Sequence, residues 1–211
     1  MQDLSQPFVD GLQTYPSDRE VQVTPAATHD TDGYRSTEIT TGSHAGTHVD
    51  APAHILPEGK RLAEFDVEDF VLSTVLVDCR DLNDREPIPP ERVPEDESAD
   101  CVVFRTDWDE YWGSDRYFDH PYLSPEAAKT CAERGFAVGT DTLNPDPTPT
   151  LSASADEPDG FKAHVAILGE GLLIFENLTN LDAVPERFEL RAHPLPLQED
   201  GAPVRAVAVE D

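Results

Sequence analysis

The chain has 211 residues, which is long enough for one sizeable domain and short for two, so we expect a single domain spanning residues 1–211. Its 43 acidic and 15 basic residues give a formal net charge of -28 that is spread along the whole sequence. This charge argues against nucleic acid or an anionic membrane as a partner, and no apolar run approaches the roughly 20 residues of a membrane span.

The composition also indicates the cellular setting. The acidic excess and the scarcity of lysine are typical of salt-accumulating organisms, in which molar salt shortens the Debye length to about 3 Å and screens the repulsion between acidic groups. Cys79, Cys101 and Cys131 form no CxxC pair and are predicted to be buried free thiols in a reducing compartment. The start of the chain, Met1 to Ser5, lacks the basic and apolar regions of a signal peptide. We therefore expect a halophilic, soluble, cytoplasmic protein.

The segment from Ser43 to His54 is the strongest candidate for a functional site, because it holds three of the 7 histidines of the chain together with an aspartate. Gly46 and Pro52 both oppose a regular helix there, so the segment is predicted to be extended. In an extended chain the even-numbered residues share one side, and these include His44, His48, Asp50 and His54.

A straight strand would spread these donors over roughly 20 Å, whereas zinc bonds to nitrogen and oxygen are only about 2.0–2.2 Å long. The segment must therefore curl. Gly46 is the natural place to bend, and Pro52 keeps Ala51 extended and carries His54 back toward the other donors. Without a cation, the cluster would bring several costly titratable groups together for no evident gain. We therefore predict a metal site.

Six apolar runs with β-branched residues are predicted to be strands, several of them buried on both faces. They are Phe70 to Val77, Cys101 to Thr106, Phe136 to Val138, His164 to Leu168, Leu172 to Phe175 and Val204 to Val209. The clearest helix begins with Ser124 as its N-cap and Pro125 as its first residue, and it ends at Gly135. Its apolar stripe is predicted to lie on the sheet.

Two segments rich in proline and polar residues, Arg80 to Asp100 and Leu143 to Gly160, are predicted to be surface loops that contribute nothing to the core. After the second loop, the sequence predicts a hairpin of two strands joined at Gly169-Glu170-Gly171. Such a hairpin would place His164 beside Glu176, and both side chains are further candidate metal donors.

The segment His44-Ala-Gly-Thr-His48-Val-Asp50-Ala-Pro-Ala-His54 resembles the HxGTHxDxPxH signature of the cyclase family. These metal-dependent hydrolases include bacterial kynurenine formamidase and isatin hydrolase. Shorter similarities extend over nearly the whole chain. They are Tyr15 to Asp18, similar to a WPGD-like turn; Val102 to Thr106, similar to a strand ending in Arg-Thr; Val138 to Thr142, similar to a GxD segment; and Gly171 to Thr179, similar to a strand ending in Glu-Asn-Leu.

This resemblance implies a ligand set for one or two divalent ions, consisting of His44, His48, Asp50, His164 and Glu176. It implies that Asp50 bridges the two ions and that His54 transfers protons rather than binding metal. It also implies an α/β protein with a swivelling β/β/α fold, in which helices flank a mixed sheet. A homodimer or higher homo-oligomer is the implied assembly.

The function implied by the resemblance is hydrolysis of a carbon–nitrogen bond other than a peptide bond, as in the arylformamidases of tryptophan catabolism. Metal-activated hydroxide would attack an amide or formamide carbonyl of a small molecule while His54 shuttles a proton. A donor set of imidazoles and carboxylates without cysteine favours zinc or manganese. Tyr15, the expected substrate-binding residue, stands where kynurenine formamidases have tryptophan, so a cyclic amide or lactone, as in isatin hydrolase, is the alternative substrate.

Two other classes of protein are weighed against this function. A non-catalytic metal-binding protein would have no need of His54 as an unligated base. A cupin-like oxygenase would use two histidines and one carboxylate on iron, which the order of residues does not favour.

The remaining histidines, His29, His120 and His193, are predicted to have surface or turn roles. The aromatic cluster of Trp108, Tyr111, Trp112, Tyr117 and Phe118 is predicted to fill a core.

Overall fold

The computed structural model describes residues 1–96 and 98–210, so Glu97, within the predicted loop Arg80 to Asp100, and Asp211 lie outside the described residues. In chain order the strands are β1 (Gln2–Asp3), β2 (Gln22–Ala27), β3 (Ser36–Thr40), β4 (His48–Asp50), β5 (Val71–Asp78), β6 (Pro87–Ile88), β7 (Cys101–Arg105), β8 (Tyr122–Leu123), β9 (Ala137–Thr140), β10 (Ile174–Glu176), β11 (Arg187–Arg191), β12 (Gly201–Pro203) and β13 (Val207–Val209). The α-helices are α1 (His29–Asp32), α2 (Pro125–Glu133) and α3 (Lys162–Gly169).

Within the described residues, nine strands form one mixed sheet that curls into a half-barrel, in the order β1-β13-β11-β5-β7-β9-β10-β4-β12. The four central strands β5, β7, β9 and β10 run parallel, whereas β4 pairs antiparallel with both β10 and β12. The register of β4 places His48 opposite Glu176 and Asp50 opposite Gly201. The predicted α/β class with a mixed sheet is confirmed.

Apolar side chains cover both faces of the sheet. In β7, Cys101 and Val103 point into one core, while Val102 and Phe104 point into the other. This follows from the alternation of side chains along a strand, and it explains why β7 has a continuous apolar sequence. Helices α2 and α3 pack against each other over the second core. All three cysteines are buried free thiols, as predicted.

Helix α2 has the predicted ends. The Ser124 hydroxyl accepts a hydrogen bond from the backbone N–H of Ala127, Pro125 is the first helical residue, and Gly135 has a φ of +75° just after the helix. Five of the six predicted runs contain a strand, with ends shifted by up to three residues. Strand β11 was not predicted, although the alternation in Arg-Phe-Glu-Leu-Arg is a strand pattern.

The predicted strand from His164 to Leu168 is wrong, because these residues lie in helix α3. The residues of α3 that are buried are Ala163, His164, Ile167 and Leu168, whereas Val165 is 56% exposed. This spacing is helical rather than alternating. A short apolar run does not distinguish a strand from a buried helix by its composition alone. The predicted hairpin is therefore absent from the described residues, and a helix followed by β10 takes its place.

The two predicted surface loops also contribute to the core, contrary to expectation. Ile88 and Val93 from the first loop are buried under helix α2, and Leu143 from the second is buried with Trp108. The prediction was based on the average composition of each loop and therefore did not identify these isolated apolar side chains. The part of the chain that the structure describes includes no helix with the length and apolar character needed to cross a membrane.

Candidate metal centre

The segment that carries the predicted donors has the expected curled shape. Gly46 adopts a φ of +63°, in the left-handed region that glycine enters without strain. Strand β4 follows, and Ala51 is extended with φ -103° and ψ 161°. A single 3-10 turn, Pro52–His54, then brings His54 back toward the other histidines.

The five predicted ligand residues lie close together, with three imidazoles next to the carboxylate of Asp50 and two of these also next to Glu176. The His48 Nε2 atom lies 3.2 Å from Asp50 Oδ1 and 3.2 Å from Glu176 Oε2. The His164 Nε2 atom lies 3.4 Å from Asp50 Oδ2 and 3.3 Å from Glu176 Oε1. The His44 Nδ1 atom lies 2.6 Å from Asp50 Oδ1. Helix α3 thus brings His164 to Glu176 as the predicted hairpin would have done, but from a different direction.

The outer nitrogens of two of these histidines have fixed partners. His48 donates from Nδ1 to the carbonyl oxygen of Gly46 at 2.8 Å. His164 donates from Nδ1 to Asp146 Oδ2 at 2.7 Å, and the same carboxylate accepts the backbone N–H groups of Ala163 and His164 at the start of α3. With the outer nitrogen as donor, the inner nitrogen has a free lone pair. This arrangement is typical of histidines that bind metal ions.

Three buried polar atoms at the centre of the cluster indicate whether a cation fits there. Asp50 Oδ2, Glu176 Oε1 and His48 Nε2 find no hydrogen-bond partner among the described residues. Buried polar atoms are nearly always paired, and a carboxylate oxygen without a donor is costly to bury. Two carboxylates and several imidazoles provide donors that divalent zinc, manganese, iron or nickel accepts. The residues present therefore fit a divalent metal ion.

The electrostatics of the cluster also favour a bound cation. Burial lowers the pKa of His44, but the charge of Asp50 and hydrogen bonds to Asp200 and Asp50 outweigh it and raise this pKa to about 9. Burial also lowers the pKa values of His48 and His164. The charges and hydrogen bonds of nearby carboxylates outweigh this effect, so both pKa values lie well above the ordinary 6.5. Bound protons on these rings supply positive charge that a divalent ion would supply instead.

His54 lies beside this cluster and differs from it. Its ring centroid is 3.9 Å from that of His44, and its Nδ1 atom is 3.4 Å from Asp200 Oδ2. Burial lowers the pKa of His54, and the charges of His44 and His164 lower it further, against the raising effect of Asp50. The lowered pKa favours the neutral imidazole, which can accept a proton.

The donors open into a cavity of about 200 Å³ that also includes Tyr15 and Phe161 in its lining. The ring centroids of these two aromatic residues are 6.4 Å apart, and the Phe161 ring meets the His164 ring edge to face at 5.5 Å. Phe161 is 47% exposed. Tyr15, the predicted substrate-binding residue, thus lines the cavity together with a second aromatic residue, Phe161.

Sequence reasoning missed three residues of this site. Asp146 lay in a segment predicted to be a surface loop, and Asp200 belongs to an acidic stretch that nothing distinguishes in so acidic a chain. Phe161 offered a weak signal, because it is an isolated aromatic residue between Gly160 and the apolar run that follows.

The remaining histidines follow the prediction in two cases. His29 and His193 are exposed, but His120 is 1% exposed and lies inside the protein. His120 donates from Nδ1 to the carbonyl of Pro121 and accepts at Nε2 from the Thr148 hydroxyl, both at 2.8 Å. Of the surface or turn role predicted for His120, the surface alternative is wrong, because the folded loop encloses the ring and neighbouring residues satisfy both of its nitrogens. The predicted aromatic core is confirmed for Trp108 and Tyr117, which are buried together.

A mixed half-barrel with buried imidazoles and carboxylates beside a cavity defines the class, an α/β protein whose donors suit a divalent metal ion. Residues 2–147 match the family model described as putative cyclase, and the chain belongs to this family. The resemblance drawn from the sequence is thereby confirmed.

Individual relatives extend the similarity to nearly the full chain. A kynurenine formamidase of Salinibacter ruber is 32% identical over 97% of this chain and 95% of the relative. The solved structure of isatin hydrolase A from Labrenzia aggregata, bound to benzyl benzoate, has a TM-score of 0.84 and 26% identity, covering 98% of this chain and 91% of that one. A predicted metal-dependent hydrolase from Bacillus stearothermophilus has a TM-score of 0.77 and 26% identity over 98% and 96% of the two chains.

Proposed function

We propose that the protein is a metal-dependent hydrolase that cleaves an amide or formamide carbon–nitrogen bond in a small molecule. The observation that carries this proposal is the convergence of three buried polar atoms, from His48, Asp50 and Glu176, that have no hydrogen-bond partner among the described residues and whose side chains line a cavity. Kynurenine formamidase relatives of about 30% identity make an aryl formamide the first candidate substrate.

The ligand residues in this proposal are His44, His48, Asp50, His164 and Glu176, which would hold one or two ions, with zinc or manganese as the expected metals. When bound, a divalent ion supplies a Lewis acid and lowers the pKa of water from 15.7 toward about 7. Gly46 and Asp146 fix the orientation of two of the imidazoles through their outer nitrogens.

His54 has the proton-transfer role in this proposal. Its ring lines the cavity, and one of its nitrogens lies within 4.8 Å of donor atoms of Asp50 and His164. Because burial lowers the pKa of the imidazole and favours its neutral form, His54 would accept the proton that the attacking water gives up and deliver it to the leaving nitrogen. Such general acid–base catalysis contributes about 10²–10⁴ in rate.

A cyclic amide or lactone is the second candidate substrate. It is favoured by the structural similarity to isatin hydrolase A and by Tyr15, whose hydroxyl adds a polar group to the aromatic wall. Hydrolysis of a ring requires no space for a departing fragment, and the cavity of about 200 Å³ suits a small planar ring.

The test removes metal with a chelator, restores zinc or manganese, and follows a panel of N-formyl aromatic amines, cyclic imides and lactones. We expect hydrolysis to vanish with the metal and return with it. Glu176→Gln is expected to lose metal and activity, whereas Glu170→Gln, at an exposed position nearby, serves as the matched control. Full activity after verified metal depletion would overturn the proposal. Metal binding without turnover of any compound would favour the non-catalytic alternative.

We further infer a swivelling β/β/α arrangement and a homodimer. The first is supported by the similarity to the solved structures of the family. The second is supported by strands β2 and β3, which pair with each other and with no other strand among the described residues and are largely exposed. An isolated two-stranded sheet is marginally stable in water, so burial against a second copy would stabilise it. Analytical ultracentrifugation in molar salt tests the assembly.

A further inference from the structure

Asp200 lies at the rim of the candidate metal centre, in a segment with no predicted role. It directly precedes strand β12, whose first residue, Gly201, pairs with Asp50 in β4. The carbonyl oxygen of Asp200 accepts the backbone N–H of Ala51 at 2.8 Å, which extends this pairing by one hydrogen bond. The sheet therefore fixes the backbone of Asp200 beside the donors, although the residue is 150 positions away from Asp50 in the sequence.

One oxygen of the Asp200 carboxylate faces two imidazoles. Its Oδ2 atom lies 2.9 Å from His44 Nε2 and 3.4 Å from His54 Nδ1. The other oxygen, Oδ1, accepts from the Ser43 hydroxyl at 3.4 Å. The side chain is 36% exposed, so Asp200 approaches the cluster from the solvent side, opposite the buried carboxylates.

The backbone next to Asp200 also holds the His44 ring. A Cβ atom on Gly201 would lie 2.5 Å from His44 Cε1, so only glycine leaves room for the ring at this distance. The His44 ring also lies against the His54 ring, with ring centroids 3.9 Å apart. His44 is thus in close contact with both Gly201 and His54, and the Asp200 carboxylate lies within reach of both imidazoles.

We propose that Asp200 is a positioning residue that serves the metal ligand His44 and the proton-transferring His54 at the same time. By accepting from His44 Nε2–H, it leaves Nδ1 of that ring free to bind the ion. By accepting from His54 Nδ1–H, it leaves Nε2 of that ring unprotonated and able to take a proton. The proposal rests on the proposed function for the role of His54, but its effect on His44 concerns metal affinity alone.

This role differs from that of Asp146, which holds a single ring. A carboxylate that orients a metal-binding histidine typically contributes 10- to 100-fold in metal affinity. Because Asp200 also holds His54, its loss is expected to reduce kcat separately from metal occupancy. Asp200 does not belong to the lining of the cavity, so KM is expected to stay within a few fold.

The test compares Asp200→Ala and Asp200→Leu, which both lack an acceptor, with Glu199→Gln at an exposed neighbouring position. The readouts are zinc stoichiometry and affinity by chelator competition, the His54 tautomer by ¹⁵N NMR of the zinc-loaded protein, and kcat and KM at saturating zinc. For Asp200→Ala we expect unchanged stoichiometry, affinity weaker by about 10- to 100-fold, a mixed His54 tautomer and a lower kcat. We expect partial recovery in Asp200→Glu.

Three results would overturn the proposal. Loss of one equivalent of zinc in Asp200→Ala would make Asp200 a ligand instead. Affinity and tautomer identical to those of Glu199→Gln would mean that the carboxylate positions nothing. If Asp200→Ala fails to fold, Asp200→Leu decides, because leucine has a similar shape but no acceptor, and wild-type behaviour of that variant would refute the proposal. If the wild-type protein binds zinc but hydrolyses nothing, the proposed function fails, while affinity and tautomer still test Asp200.

Discussion

The buried His120 predicts a specific pH dependence of stability. Burial lowers the pKa of His120 to about 4 in the folded protein, against about 6.5 in an unfolded chain. In the unfolded state, His120 therefore takes up a proton as the pH falls through 6.5, whereas in the folded state it stays unprotonated until about pH 4. The lowered pKa costs nothing above pH 6.5 and destabilises the fold progressively between pH 6.5 and pH 4.

The magnitude follows from the shift of this pKa. A difference between 6.5 and about 4, at 1.36 kcal/mol per pH unit, gives about 3 kcal/mol of stability lost by pH 4. His120→Gln keeps an amide donor and acceptor for Pro121 and Thr148 but binds no proton. Between pH 7 and pH 4, its free energy of unfolding should therefore fall by about 3 kcal/mol less than that of the wild type.

The assay is urea unfolding followed by tryptophan fluorescence, in molar potassium chloride with a chelator, at intervals from pH 7 to pH 4. Groups common to both proteins cancel in the difference between the two curves. His29→Gln, at an exposed histidine, is the control and should run parallel to the wild type. If the curves of His120→Gln and the wild type also run parallel, His120 is not buried and neutral as described.

Three further predictions concern the site and the charge. His54→Ala should keep its metal but lose activity by about 10²–10⁴-fold. Asp50→Ala should lose metal, because the Asp50 carboxylate lies next to three imidazoles. Metal analysis with kinetics checks both variants, and the opposite pattern would reverse their roles. The melting temperature should rise from dilute buffer to molar potassium chloride, because a net charge of -28 repels itself until salt screens it, and a flat or falling value would count against a halophilic origin. N-formylkynurenine hydrolysis should be weak and should improve in Tyr15→Trp, which restores apolar area next to Phe161; an efficient wild type that the substitution impairs would refute this view of the pocket.

The part of the site that the sequence predicts is the part built locally. Three histidines and Asp50 lie on one side of an extended segment, and a glycine bend with a proline-led turn follows from backbone preferences alone. The structure brings them together as expected. The same local reasoning located helix α2, whose cap, first proline and terminal glycine are adjacent in sequence to what they control.

What the sequence did not predict depends on tertiary neighbours. Asp146 and Asp200 reach the site through the fold, and their residue type carries no signal among 43 acidic residues. The segment after His164 is a helix because it packs on α2, which a short apolar run does not reveal. His120 appears polar and exposed in sequence, yet the folded loop encloses it and satisfies both of its ring nitrogens.

The most direct test of the proposed metal centre is a calorimetric titration of the chelator-treated protein with zinc at pH 7, in two buffers of different ionisation enthalpy. The pKa values of His44, His48 and His164 are raised in the metal-free protein, so zinc must displace protons from these rings as it binds. We predict tight binding of one or two ions per chain with net proton release, and its loss in Asp50→Ala. Failure to bind zinc, or unchanged binding in Asp50→Ala, would contradict a metal centre at these residues.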